Sequence, residues 1–178
     1  MIDQTLDMNN LDMSEKAKPL LAAVTKHIRE NVDPITEEFF RLGEGRADRW
    51  SYAPGQLELL DGAKQKAREA GLWNFFLPNA ETGEGLANLD YAYIAAELGK
   101  SPLAPETLNC SAPDTGNMEV LERVGTPEQK EQWLKPLLAG EIRSAFAMTE
   151  PDVASSDARN ISTSAVLDGD DSVINGDK

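Results

Sequence analysis

The chain has 178 residues, 40% of them apolar and 27% charged, with a formal charge of −14. This is a globular composition rather than a disordered one, and the length suits one domain or a domain with part of another. The acidic balance excludes the basic footprint that nucleic acid requires, although backbone N–H groups can hold a small phosphate in a negative protein.

Residues 1–13 are polar and irregular and read as a flexible N-terminal arm. From Ser14 a helical pattern begins, with Leu20, Leu21, Val24, His27 and Ile28 at spacings of three and four. At "VDPITEEFF" Asp33 can cap and Pro34 can open a first turn, so a bend or a new helix is expected there. "APGQLELLDGAKQKAREAGLW" predicts a helix closed at Gly71, and "NFFLPNAETGEGL" reads as a loop by its Pro and Gly content. Asn88 is placed as the cap of "LDYAYIAAEL", which Gly99 closes, and a further helix falls within 114–124, closed by Gly125. In "GTPEQKEQWLKPLLAGE", Thr126 and Gln129 stand at the two positions of a capping box, Pro127 suits the first turn, Pro136 distorts the helix late, and Gly140 ends it.

After Gly140 the period changes from helical to alternating. "SAFAMTEP" reads as a strand end, with Phe146 and Met148 alternating with Ala147 and Thr149. Ile161, Thr163, Ala165 and Leu167 alternate with polar neighbours, "DGDD" makes a turn, and "SVIN" returns as a second strand. "NGDK" offers another hairpin turn with nothing after it to pair, and two strands alone are marginal in water. The expectation is a chain cut inside a β domain.

Few side chains invite chemistry. His27, the only histidine, lies on an apolar helix face and reads as a packed residue; Cys110 has no histidine near it in sequence and reads as a buried thiol. A single cysteine forms no internal disulfide, no apolar run reaches the length of a membrane span, and "MIDQTLDMNNLDMSEK" lacks a signal pattern, so a cytoplasmic home with no membrane span is expected. Asp168, Asp170 and Asp171 lack the spacing of a Ca²⁺ loop, so no metal is expected. Trp50, Trp73 and Trp133 read as core or interface residues, and "GEGLANL" lacks the strand and third glycine of a dinucleotide loop. "FAMTEPDVASS" differs from all of these. A strand there can turn one face to a flat apolar ligand, Pro151 stops it, and Ala154, Ser155 and Ser156 leave amides and hydroxyls open to a phosphate.

This stretch resembles the flavin-binding signature of the acyl-CoA dehydrogenase family, in which an aromatic-x-x-Thr-Glu-Pro strand end precedes a Gly-x-Gly-Ser-type turn. "FLPNAETGEGLANLDYAYIAAELGKS" is similar to the family's Leu-Pro…Gly-x-Gly-Leu loop and following helix. "GTPEQKEQWLKPLLAGEIRSAFAMTEP" is similar to its run from a helix into the first strand, and "SVINGDK" to its Asn-Gly-x-Lys turn. "APETLNCSAPDTGNMEVL" with "TEPDVASSDA" further resembles the subfamily that includes family members 10 and 11. The resemblance covers roughly residues 14–178. It implies a mainly α fold: an α-helical N-terminal domain over 14–142, followed by the first strands of a truncated central β domain over 143–178.

The family binds FAD and oxidises an acyl-CoA thioester to the trans-2-enoyl-CoA. A glutamate of a C-terminal helical bundle takes the α proton, flavin N5 takes the β hydride, and electrons pass to an electron-transfer flavoprotein. Members are usually homotetramers. Carried over residue by residue, Phe146, Met148 and Thr149 flank the isoalloxazine, with the Thr149 hydroxyl toward its pyrimidine side. Ser155 or Ser156 takes the place of the serine that contacts the FAD pyrophosphate and the acyl-CoA, because "TEPDVASSD" is one residue longer than the usual "TEPGAGSD" and lacks both glycines. Asn117 and Met118 match a segment bordering the acyl pocket. None of Glu37, Glu106 and Glu150 matches the catalytic base, so the chain is expected to lie N-terminal to it and to be inactive alone. Two other readings share these residues: a non-catalytic helical interaction module of the same fold, and an acyl-CoA oxidase.

Overall fold

The computed structural model describes residues 11–48 and 50–178, and the chain divides into two compact units, Met1–Arg143 and Ser144–Lys178. The first unit is helical. It runs through α1 (Lys18–His27), α2 (Asp33–Gly43), α3 (Gln56–Glu69), α4 (Asn88–Leu98), α5 (Ala104–Thr107), α6 (Asp114–Val124), α7 (Pro127–Gln129) and α8 (Lys135–Ala139). Residues 1–10 of the expected arm lie outside the described residues. Ser14, where the helical pattern begins, is tied by its N–H (2.7 Å) and hydroxyl (2.8 Å) to the buried carboxylate of Asp90.

The two prolines expected to bend or start helices act by one device. α1 passes into α2 through a π turn, Ile28–Val32, closed by the Asp33 N–H donating to the Ile28 carbonyl. α7 passes into α8 through a second π turn, Lys130–Leu134, closed by the Lys135 N–H donating to the Lys130 carbonyl. In each case a proline follows at once, Pro34 or Pro136. Proline has no N–H and its ring crowds the carbonyl one turn back, and a widened turn accommodates both defects without ending the helix. Asp33 therefore sits inside a continuous helical path and makes no side-chain cap. Asn88 likewise is the first helical residue, with Ala87 at the cap position and no side-chain cap bond.

The capping box is present as read. The Gln129 N–H donates to Thr126 Oγ1 (3.2 Å), and the Thr126 N–H donates to Gln129 Oε1 (2.9 Å). Thr126→Ala is expected to cost about 1 kcal/mol, seen as a lower urea midpoint at unchanged denaturant slope.

The other end of this helix is closed from outside. Trp73 Nε1 (2.8 Å) and Asn74 Nδ2 (2.7 Å) donate to the Leu138 carbonyl, Asn109 Nδ2 donates to Leu137 (3.0 Å), and Arg68 donates to Ala139 (2.6 Å). The last carbonyls of a helix have no partner within it, so these donors satisfy them. Asn74 and Asn109 take φ of 56° and 55°, a left-handed conformation that asparagine tolerates, and are joined by a 2.7 Å bond. Gly140 turns the chain with φ of 68°, against Arg68 and Trp73, where a Cβ would collide.

α1 packs on α4, and α3 on α2 and α5. The core between them holds Leu60, Phe75, Leu77, Ile94, Leu108 and Met118, all fully buried. His27 is buried as expected: Asn31 Nδ2 approaches its Nδ1 (3.3 Å), and its Nε2 lies 3.4 Å from Thr107 Oγ1. Burial, helped by the charge of Lys66, lowers its pKa and keeps it neutral. Cys110 is buried too, and desolvation pushes its thiol up to about 12, so it is unreactive at neutral pH. The tryptophans divide: Trp73 packs against the core, whereas Trp50 and Trp133 are exposed at 92% and 48% and are not core residues.

The second unit holds one antiparallel hairpin, β1 (Ser164–Asp168) and β2 (Asp171–Asn175), in the register Val166 opposite Val173. The expected turn falls between Asp168 and Asp171, and every residue of both strands is exposed. The strand expected at "SAFAMTEP" is not formed: residues 144–150 pair with no strand among the described residues, and the Met148 N–H donates to the Phe146 carbonyl (3.1 Å). A strand is defined by a ladder partner, and alternation alone supplies none. The mainly α class with first β strands after the helical unit is what the fold has.

Candidate functional site

The flavin-type stretch lies wholly in the second unit. Phe146 is 66% exposed, Met148 is half-buried, and Thr149 and Ser156 are exposed. Ser155 is the exception, at 2% exposure, and its Oγ accepts the Glu150 N–H (2.7 Å). The turn after Pro151 is thus closed by a side chain bonding back to the backbone, a role that suits serine.

Glu150 organises the unit. The Ser162 N–H (2.8 Å) and hydroxyl (2.6 Å) donate to Oε2, while the Thr163 N–H (3.0 Å) and hydroxyl (2.5 Å) donate to Oε1. Lys178 Nζ adds an ion pair to Oε1 (2.9 Å) and a longer bond to the Met148 carbonyl (3.3 Å). The Ser162 and Thr163 hydroxyls, then Lys178, hold the Glu150 carboxyl well below the usual carboxylate range. The sequence alone gives Glu150 no site role and Lys178 no partner. The available signal was that a carboxylate in a segment of small residues needs donors, and "ISTS" and "NGDK" supply them. Gly176 has a packing reason as well, since a Cβ there would run into Thr163.

Asn117 and Met118 belong to α6 of the first unit. Asn117 is half-buried, and Met118 is fully enclosed by the core. Of the other carboxylates, Glu106 is held by Lys64 (2.6 Å) and Arg143, and Arg143 also reaches Asp114 (2.7 Å). Burial pushes the Glu106 carboxyl up, but its bonds from Arg143 and Lys64 outweigh that and leave it lowered. It is an ionised structural group rather than a proton acceptor. Glu37 is exposed on α2. The glycines of "GEGL" serve packing: a Cβ on Gly83 would strike the Leu77 carbonyl, and Gly85 has φ of 60°. Among the described residues, no group of three or more His, Cys, Asp and Glu is placed to hold a metal, and no helix is long and apolar enough to cross a membrane.

Residues 14–141 match the family described as the acyl-CoA dehydrogenase N-terminal domain. The chain is 47% identical over 168 residues to acyl-CoA dehydrogenase family member 11 of Homo sapiens, covering 93% of this chain and 21% of that protein. It is 47% identical over 171 residues to acyl-CoA dehydrogenase family member 10 of Mus musculus, covering 93% of this chain and 16% of that one. A solved Mycobacterium abscessus structure assigned to the acyl-CoA dehydrogenases superposes with a TM-score of 0.82 at 51% identity, over 93% of this chain and 42% of the other. The chain thus spans about a fifth of the length of the family members 10 and 11 that it matches. With residues 14–141 matched by the family model and similarity covering 93% of its length, the chain belongs to the acyl-CoA dehydrogenase family.

Proposed function

We propose that this chain supplies the helical wall and one half of the FAD site of an enzyme that oxidises an acyl-CoA thioester to the trans-2-enoyl-CoA. The observation that carries the reading is the Phe146–Ser156 segment, which turns an aromatic ring and two hydroxyls outward while its one buried carboxylate is fully engaged. The donor set fits a flavin dinucleotide. A flat ring system suits Phe146 and Met148, the Thr149 hydroxyl suits its pyrimidine side, and a serine hydroxyl with nearby amides suits a pyrophosphate. Glu150, neutralised by Lys178, sets no free charge against that phosphate.

FAD, when bound, supplies the two-electron acceptor for the hydrogen leaving Cβ. Phe146 and Met148 orient the ring system and Thr149 fixes its register. The resemblance gives one of Ser155 and Ser156 the place of the serine that holds the phosphate side and meets the acyl-CoA; Ser156 is the exposed one of the two. By the resemblance, the segment with Asn117 and Met118 borders the acyl chain, Asn117 being half-buried and Met118 enclosed in the core. By the family resemblance the α proton goes to a glutamate whose position none of Glu37, Glu106 and Glu150 matches, and Glu106 and Glu150 are in addition engaged in ion pairs. A homotetramer passing electrons to an electron-transfer flavoprotein in the cytoplasm completes the reading.

The test is the visible spectrum of the purified protein that carries this chain. A flavin band that bleaches anaerobically on adding an acyl-CoA supports the dehydrogenase. Bleaching followed by rapid peroxide formation in air marks an oxidase instead. A colourless protein that takes up no FAD overturns the proposal in favour of a non-catalytic interaction module.

A further inference from the structure

We propose that Glu150, Ser155 and Lys178 form a positioning clamp that shapes the Thr149–Ser156 turn, leaving Ser156 rather than Ser155 to meet the ligand. The assignment of Ser156 rests on the flavoprotein reading above; the clamp does not.

Three observations carry it. First, Ser155 is enclosed at 2% exposure and its oxygen is engaged by the Glu150 N–H, while its own N–H donates to the Val153 carbonyl (2.8 Å). Ser156, one residue on, is exposed. Second, the Glu150 carboxylate receives two N–H groups, two hydroxyls and an ammonium. Two carboxylate oxygens have about four lone-pair sites, so nothing is left over for a ligand. Third, Lys178 reaches both the Glu150 carboxylate and the Met148 carbonyl, and so grips the chain on either side of Thr149.

These bonds join three segments distant in sequence: Met148–Ser155, Ser162–Thr163 and Lys178. Gly176 allows the last of them to pass close to Thr163. The turn has no glycine to shape it, and the Ser155 hydroxyl does so by bonding across it. Polar clusters of this kind give a segment a single geometry when every member is satisfied.

The experiment uses the protein that carries this chain and two readouts, backbone amide exchange and FAD affinity by flavin fluorescence. Ser155→Ala is expected to speed exchange of the Glu150 amide about tenfold, and Lys178→Met to do the same at Ser162 and Thr163, with Lys178→Arg restoring protection. Ser156→Ala is expected to leave all three amides as protected as in the wild type while weakening FAD binding about tenfold. Amides of the helical unit serve as the control for global unfolding. Unchanged protection of Glu150 in Ser155→Ala overturns the clamp. FAD binding lost in Ser155→Ala with protection intact, or kept in Ser156→Ala, overturns the assignment of the serines. A wild type that takes up no FAD removes the flavoprotein reading and the serine assignment together, and the exchange data then decide the clamp alone.

Discussion

Replacement of Phe75 by alanine is expected to destabilise the helical unit by about 3–5 kcal/mol. Phe75 is fully buried in a stretch without regular structure between α3 and α4, tilted against the Tyr91 ring at a centroid distance of 6.3 Å. The loss of apolar transfer energy is common to any such truncation. What puts Phe75 in the upper part of the range is that its surroundings resist collapse. Asn74, immediately before it, is held in a left-handed conformation by bonds to Leu138 and Asn109, and Leu77, two residues on, is fully buried in the same cluster. A cavity that cannot close costs more than one that can. Urea unfolding followed by far-ultraviolet circular dichroism measures it. A loss under about 1 kcal/mol would mean that the loop relaxes and that the asparagine brace is weak.

Glu150→Ala is expected to release the second unit while leaving the first intact. The hairpin buries no side chain of its own, so apolar burial contributes little to holding it and the ties to Glu150 carry the weight. Removing the carboxylate leaves two N–H groups, two hydroxyls and Lys178 without their common acceptor. Amide protection at Ser162 and Thr163 is expected to disappear, FAD affinity to fall by at least about a hundredfold, and the urea midpoint of the helical unit to stay where it was.

The pH dependence has a definite sign. Glu150 has its folded-state pKa lowered, chiefly by the Ser162 and Thr163 hydroxyls and then by Lys178. Its contribution is therefore present above the ordinary carboxylate value of about 4.3 and is lost only as pH falls below that toward the lowered folded value. Protection of the Ser162 and Thr163 amides, corrected for intrinsic exchange, should be level from pH 8 to 5 and fall in more acid solution. Glu150→Gln should show no such acid limb. A decline already between pH 7 and 6 would place the controlling group elsewhere.

The helical unit was legible because its signals are local. Thr126 and Gln129 form their box, Gly71 and Gly140 take the left-handed conformation, and the apolar spacing of Val24 and Ile28 faces the core. The misreadings share a cause, which is that a local pattern competes with a partner remote in sequence. Asp33 and Asn88 look like caps, but the helix before Asp33 does not stop, and the path into α4 begins one residue earlier. "SAFAMTEP" alternates like a strand, yet a strand needs a ladder that alternation does not provide. The Pro and Gly content around Phe75 and Leu77 marks a loop, and that loop lines the core. The same holds for the candidate site: Thr149 and the two serines are named by the motif, but the role of Glu150 and the division of work between Ser155 and Ser156 depend on Ser162, Thr163 and Lys178. No spacing rule joins those residues.

The central claim is that the Phe146–Ser156 segment is half of a flavin site, and titration of FAD into the purified, cofactor-stripped protein that carries this chain tests it most directly. The account predicts saturable quenching of flavin fluorescence in the wild type and binding about tenfold weaker in Ser156→Ala. A flat titration in the wild type, or equal binding by the two proteins, would contradict it.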